Sequence, residues 1–465
     1  MQPIKLPKPA KDDRFSNIDP LDSRYFDAEI AKHLSERTRI AYQAYVEAAL
    51  AQTLADLGVC SSEDAQKIET AAWQVTAEQV YEEEKNTKHD IKALVNVIKK
   101  NSGEAANYVH FGATSNDIIS TALSLQIRDA VNSLIVPRLK ELLGTLIELT
   151  EKYADTPQIG RTHGQHAVPI TFGFAVVEYV SRLGKSSTSL EVLSGKLVGK
   201  FSGAVGAYNA LSLFVDDPLE FERKLLAKLD LEPAEYSTQI IPPENLVRLI
   251  DELAITAGIM ANLANDMRHL QRTEIAEVHE KFEQGQVGSS TMAHKRNPAN
   301  FENVVSLSKQ VLAQIVNANL NLSSEHQRDL TDSASSRFYT IPLAAVAVMA
   351  SRLNSAMSKI EVDEANMTKN LNLSGGAIAA EPLYLLLAKY GHPAAHEKTK
   401  ELAHSALDQK KPLVEVISED SEISEYWNKF SEAERQIITD PAQHYLGQAV
   451  AKAHDVASYW KSKLS

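Results

Sequence analysis

Two adjacent hydroxyls and two adjacent cations share one short string, GSSTMAHKRNP at 288–298. Ser289 and Ser290 offer a hydroxyl that could carry a proton, and Lys295 and Arg296 offer positive charge to an anion. Small residues at the start let the backbone take unusual dihedrals and approach a ligand closely. Asn297 followed by Pro298 stops a helix from starting inside the string, because the residue before proline disfavours the α region. Composition alone reads this string equally well as a polar loop between two helices.

Other residues of the same kind lie far away in sequence. His163 and His166 sit in GRTHGQH at 160–166. Their spacing could suggest a metal pair, but no HExxH pattern or cysteine pair accompanies them. A glycine-flanked histidine in a polar loop suits proton transfer better. His89 stands beside Asp90 at a helix start, where Asp90 or Thr87 could act as the cap. In 109–117 (VHFGATSND), Ser115 or Asn116 is a cap candidate for a long helix starting near Asp117. Free N–H groups at such an end can hold a carboxylate or phosphate. Arg328, Ser333 and Arg337 form an R-x4-S-x3-R spacing. Two guanidinium forks and a hydroxyl are good phosphate ligands if they converge. The glycine-rich turn at 202–206 lacks a Walker lysine and a preceding strand, so it is not read as a nucleotide loop.

The elements that must position these groups read as helices. Residues 1–22 look like an extended arm, and 28–85 read as several helices. A long helix runs from 117 to about 153 with Pro137 inside it, where a kink is expected. Further long helices are expected near 170–200, from Glu244 to about 282, near 300–323 and near 340–360. After 366 the helical patterns shorten, with breaks at His392-Pro393 and Asp440-Pro441. No convincing run of strands, internal repeat or low-complexity tract is visible.

Composition limits the function classes. The 465 residues are enough for about three domains. The formal charge of 48 minus 61, or -13, argues against a general nucleic-acid binder, which needs a basic face. It leaves room for an anionic substrate, because a few local cations dominate a small pocket. Cys60 is the single cysteine, so no intramolecular disulfide forms, which fits a reducing compartment. The first residues lack the apolar stretch of a signal peptide. No window of ~18 uninterrupted apolar residues appears. A cytoplasmic location without membrane contact is the expectation.

The 288–298 string resembles the GSSxMPxKxN loop of the fumarase/aspartase superfamily, matching at Gly288, Ser289, Ser290, Met292, Lys295 and Asn297. It departs at Ala293, where proline is usual. Proline contributes a fixed φ there rather than a functional group. With 19–25, 87–90, 109–117, 160–166 and 326–337, the chain resembles the adenylosuccinate lyase family from about residue 15 to Gly447. Its HQRDLTDSA tract fits the family's QRDLTDS variant rather than HERDISHSS. Lys88 stands where arginine is also common, so a bidentate contact is lost there while the charge remains.

The resemblance implies an all-α fold with three helical domains: 1–112, 113–365 and 366–465. The central one is a five-helix bundle that assembles into a tetrameric helical core. Each active site then collects residues from three subunits. The implied reaction is β-elimination of fumarate from a phosphorylated, succinyl-bearing nucleotide, with no cofactor and no metal. Ser289 is the implied base, His163 the acid and His89 a supporting residue, while Glu302 orients His163. Lys295, Asn297, Thr114, Ser115 and Gln239 would hold the succinyl carboxylates, with Asn303 completing the pocket. Arg24, Tyr25, Arg328, Ser333 and Arg337 would hold the nucleotide end, with Lys88 and Asp90 nearby.

Alternatives of two classes stand beside this one, other enzymes of the superfamily and a structural protein. The HKRNP ending also resembles carboxymuconate cycloisomerases of the same superfamily, which handle a dicarboxylate without a nucleotide. Argininosuccinate lyases fit less well, since glutamine is usual at the position of His294. A crystallin-like structural role would not require Ser289, His163 and Lys295.

Overall fold

The computed structural model describes residues 17–281, 292, 294–327 and 329–464. Ser289 and Arg328 therefore lie outside the described residues, as do Ser290 and Ala293. The chain divides into two compact units. One takes Met1–Leu139, Ser186–Gly258 and Ser306–Ser351, and the other takes Lys140–Lys185, Ile259–Val305 and Arg352–Ser465.

The expected all-α character holds, and five long helical stretches run through the middle of the chain. They are Ser115–Ala130 continuing through Val136–Lys152, then Phe172–Ser194, Glu244–Leu270, Ala299–Leu320 and Thr340–Met357. Apolar residues recur along them at helical spacing. In the first, Ile118, Ala122, Leu125, Leu139, Leu142 and Leu146 are all buried. The expected disturbance at Pro137 appears as a π turn over Val131–Ile135. Proline has no N–H to give the carbonyl four residues back, and Val136 instead bonds Val131, five residues back. The third long helix ends at Leu270, not near 282. There the chain folds back, with the Glu277 N–H on the Leu270 carbonyl at 2.9 Å. Val278–His279 then pairs antiparallel with Glu361–Val362.

In the first unit, helix Glu36–Asp56 packs its neighbours into one core. Leu50, Leu54, Ile68, Leu94, Ile118 and Phe221 belong to it and are fully buried. Helix Asp90–Asn101 is capped by His89, whose Nδ1 accepts the Lys92 N–H at 3.3 Å. Thr87 and Asp90 were the expected caps. Likewise Thr114, not Ser115 or Asn116, precedes the long helix, and Asp117 bonds its N–H at 2.8 Å.

Asp117 does more than cap. Its other oxygen accepts the Lys200 ammonium and the N–H groups of Ser202 and Gly203, the last two at 3.2 Å. Both side chains of the ion pair are completely buried. Thr121 adds two further bonds, one to each end of the Lys200 peptide group. The turn beyond is shaped by Gly206, at φ +80°, where a Cβ would collide with the Ser237 carbonyl. Ser202 and Ser237 share a hydroxyl bond at 2.7 Å. One buried ion pair thus ties the start of the long helix to the segment leading into Gln239.

In the second unit, the 160–166 segment is a β-hairpin, not a loop. Pro157–Thr162 pairs antiparallel with Gln165–Thr171. No strand was expected because the segment is short, polar and glycine-bearing. Its stability comes from elsewhere in the chain. Glu277 is fully buried, and its carboxylate takes a bidentate guanidinium from Arg161 at 2.5 and 3.1 Å. Gln158 and Asn370 each add a bond at 2.8 Å. A separate cluster around Leu383, Leu387, Leu402, Leu413 and Ile423 forms the core of the C-terminal helices.

Breaking a buried pair leaves a buried charge and typically costs about 3–5 kcal/mol. Lys200→Met should therefore lower stability by about that amount in urea unfolding. Adding Asp117→Asn should recover part of the loss, because an amide oxygen still accepts the Ser202 and Gly203 N–H bonds. A Lys200→Met midpoint equal to the parent's would refute this account of the pair.

Candidate active site

A cavity of about 370 Å³ lies inside the first unit. Six of the expected residues line it: His89, Asp90, Ser115, Gln239, Ser333 and Arg337. They come from a helix cap, a helix start, the segment before a long helix, and the turn after another. The ion pair of Asp117 and Lys200 ties the second of these to the third. The cavity volume falls in the range of small-molecule sites.

The local geometry explains each placement. Ser115 opens the long helix, so N–H groups of its first turn are free of helical partners. Gln239 is fixed through its backbone, its N–H reaching the Gln327 carbonyl at 3.4 Å. The 325–337 tract is a turn gathered by Asp329, whose carboxylate accepts the Glu325 and Thr331 N–H groups. The tract then enters a 3-10 helix, Ser335–Phe338. Ser333 is exposed, and its hydroxyl donates to the Leu330 carbonyl at 2.8 Å.

Arg337 does not stand alone in the cavity. Its Nη2 donates to the Asp90 carboxylate at 2.9 Å. An anion arriving at this guanidinium must share it with Asp90 or displace it. His89 faces Asp90 too, with Nδ1 3.6 Å from Oδ1. Since Nδ1 accepts the Lys92 N–H, the proton of the neutral ring sits on Nε2.

Thr114 stands next to this wall, at the cap. Lys88 is exposed, ends the preceding helix in the left-handed region at φ 53°, and does not line the cavity. Arg24 is exposed and Tyr25 half-buried, in the turn after the short helix Pro20–Asp22. Neither of them lines the cavity.

A residue the sequence reading missed does line it. Arg39 sits on helix Glu36–Asp56, gripped in a two-pronged bond by Glu36, with Nε to Oε2 at 2.8 Å. Tyr81 donates to the same carboxylate at 2.5 Å. These carboxylate contacts hold the Arg39 guanidinium above its ordinary range, although burial works the other way. The signal was present as an E-x2-R spacing, which also describes an ordinary exposed helix pair.

The other expected residues belong to the second unit. His163 occupies the two-residue tip of the hairpin with Gly164, between the paired Thr162 and Gln165. Both tip residues have positive φ, 54° and 74°, as a type I′ connection requires. A non-glycine residue there costs roughly 1–2 kcal/mol. The exposed ring of His163 is thus carried by a strained backbone, held from below by Glu277. Gly160 is needed beneath it, because a Cβ would lie 2.6 Å from the Val168 carbonyl.

Lys295 is exposed, Asn297 half-buried, Glu302 exposed and Asn303 half-buried. Among the described residues no hydrogen bond or ion pair joins Glu302 to His163. The two ends of the serine-bearing segment are stapled together by Glu280, a second missed residue. Its buried carboxylate accepts the N–H groups of Asn300 and Phe301 at 3.0 and 3.1 Å, capping helix Ala299–Leu320. Burial pushes that carboxyl above its usual range, against the pull of these bonds.

Comparisons with known proteins agree with this layout. A family model described as lyase matches residues 22–313, and one described as adenylosuccinate lyase C-terminal matches 324–435. Adenylosuccinate lyase of Pyrococcus abyssi is 37% identical over 450 residues, covering 95% of this chain and 98% of its own. That of Pyrococcus horikoshii is 38% identical over 451 residues, with the same coverage. Among solved structures, the 3-carboxy-cis,cis-muconate lactonizing enzyme from Pseudomonas putida has a TM-score of 0.84 at 29% identity. That match covers 96% of this chain and 100% of the other.

The hairpin tip gives a test that separates chemistry from folding. Asparagine accepts the left-handed region better than histidine and makes the favoured Asn-Gly pair. His163→Asn should therefore melt at or slightly above the parent temperature, by up to ~1 kcal/mol of stability. A clear fall in melting temperature would show that the imidazole, not the backbone, is what the tip needs.

Proposed function

Because the chain belongs to the adenylosuccinate lyases of the fumarase/aspartase superfamily, we propose that it cleaves adenylosuccinate to AMP and fumarate. The same site would cleave SAICAR to AICAR and fumarate, serving purine nucleotide biosynthesis in the cytoplasm. The observation that carries this reading is the cavity wall shared by Ser115, Gln239, Ser333 and Arg337. It brings a helix start, an amide, a hydroxyl and a guanidinium to one ligand-sized space.

The chemistry is a β-elimination. Ser289, as alkoxide, takes a proton from the succinyl carbon next to a carboxylate. The electron pair is held as an aci-carboxylate, then forms the new double bond as the C–N bond breaks. His163, as imidazolium, gives its proton to the departing nitrogen. The proton beside a carboxylate is weakly acidic, so fixed cations and N–H groups must stabilise the intermediate. Lys295 and Asn297 from the loop, with Thr114 and Ser115 from the helix start, supply them. Arg328, Ser333 and Arg337 hold the phosphate, with Arg24 and Tyr25 beside them. The guanidinium of Arg337 exchanges Asp90 for phosphate on binding. In the homotetramer proposed here these groups would come from three subunits.

A second reading is a carboxymuconate cycloisomerase. The likeness to the lactonizing enzyme favours it, and so does the neutralisation of Arg337 by Asp90. That substrate has no phosphate to compete for the guanidinium.

Fumarate release should be measured with adenylosuccinate, and lactone formation with 3-carboxymuconate in parallel. Turnover of adenylosuccinate alone is expected, and turnover of carboxymuconate alone would select the second reading. Ser289→Ala and His163→Ala should each lower kcat by at least ~10²–10⁴-fold. Near-normal turnover in either variant removes that residue from the mechanism. Arg337→Ala should raise KM for adenylosuccinate by roughly 10–100-fold, the value of a charge-assisted bond. A change in kcat alone would contradict a binding role.

A further inference from the structure

The seam between helices Glu36–Asp56 and Ser115–Ala130 is polar where a packed helix pair is ordinarily apolar. On the first helix Arg39, Gln43 and Glu47 follow one another at four-residue spacing, so they share a face. On the second, Asn116, Ser120 and Ser124 do the same. One oxygen of Glu47 meets His110 at 2.6 Å, and the other, sealed from solvent, has no hydrogen-bond partner among the described residues. Of the rest, Arg39, Gln43, Asn116, Ser120 and Ser124 all line the cavity.

Gln43 is the informative member. Its side chain lies on the cavity wall, yet the residue is only 3% exposed. Among the described residues its amide makes no hydrogen bond. Ser124, 9% exposed, is in the same condition. Neither side chain has a polar atom sealed from solvent without a partner, so what these atoms meet is the cavity itself. Leucine or alanine would serve there if packing were the whole purpose. The polar groups make physical sense if a ligand completes their bonds.

The character of the groups says which part of a ligand. Gln43 and Ser124 are uncharged and offer donors and acceptors together. An amide and a hydroxyl pair readily with an uncharged group, while the guanidinium of Arg337 on the same cavity offers the charge an anion needs. Ile240, Ile241, Pro242 and Leu246 also line the cavity, apolar surface that suits a flat ring. We propose that Gln43 and Ser124 form the subsite for the uncharged middle of the substrate, the nucleoside between phosphate and succinyl group. Their donor–acceptor pair reads either the pentose hydroxyls or the edge of the heterocycle. This assignment rests on the reading of the substrate as a nucleotide. It makes Gln43 a determinant of specificity that acts on binding and leaves the proton transfers untouched.

Gln43→Leu and Ser124→Ala are measured on adenylosuccinate and on its 2′-deoxy analogue, after the parent enzyme has been shown to release fumarate from the first. Silence of the parent enzyme overturns the proposed function itself. With an active parent, Gln43→Leu should raise KM for adenylosuccinate by ~3–10-fold, the value of one neutral hydrogen bond, with kcat within twofold. Its melting temperature should not fall, because no hydrogen bond within the chain is lost. Ser124→Ala should shift KM in the same direction. If the pentose is the partner, Gln43→Leu should no longer distinguish the deoxy analogue from the parent substrate. If the heterocycle is the partner, the discrimination persists and KM rises equally for both. An unchanged KM in both variants overturns the subsite. So does a fall in melting temperature with kcat and KM altered together, which marks a packing role.

Discussion

The buried ion pair of Asp117 and Lys200 is the constraint on which the first unit turns. A carboxylate taken from water is tolerable only when each lone pair finds a donor. Here the donors come from three places: the Lys200 ammonium, the N–H groups of Ser202 and Gly203, and the N–H of Thr114. None can move without leaving the charge exposed to an apolar interior. The helix start that carries Ser115 and the turn that leads to Gln239 are therefore fixed relative to each other. Hydrophobic packing alone would define that relationship loosely, because it has no direction.

The second unit repeats the device with Glu277. Arg161, Gln158 and Asn370 converge on one buried carboxylate. The result is a rigid base for a hairpin whose tip holds His163 in the left-handed region. Strain of this kind persists only where the surroundings over-determine the backbone, and it collects at sites of function. Glu280 does the same for the serine-bearing segment by joining its two ends. At the hairpin a buried acid far along the chain does the positioning, and His163 at the tip is left exposed.

That division explains what could be read from the sequence. The long helices were legible because their apolar residues recur at helical spacing over several turns. The helix start at Ser115, the His89-Asp90 pair and the R-x4-S-x3-R tract were legible because their residue types carry chemistry. The hairpin was not, since its strands hold polar residues and Gly160, and its support, Glu277, lies 116 residues from Arg161. Nothing local marks Glu277 or Glu280 as buried. Nor could the stripe of Arg39 and Gln43 be told from a solvated helix face, because spacing gives a face and only packing says whether water reaches it. The caps show a smaller failure of the same sort. Thr114 and His89 each won over a neighbour of better propensity, because tertiary contacts fixed where the helix could begin.

The charge balance ties these observations to selectivity. The chain is strongly acidic, and four of its cationic side chains at these positions are already held by carboxylates. They are Arg39 by Glu36, Lys200 by Asp117, Arg161 by Glu277, and Arg337 by Asp90. The first three are mostly or wholly buried and serve structure. Arg39 and Arg337 both line the cavity, but Arg337 is half exposed, so its carboxylate partner can be exchanged. A monoanion would gain little by replacing one carboxylate with another. A phosphate, with more charge and three acceptor oxygens, gains more from the same guanidinium. Under the proposed function Asp90 would thus act as a competitor in the cavity's own wall, one that a phosphate displaces more readily than a carboxylate does.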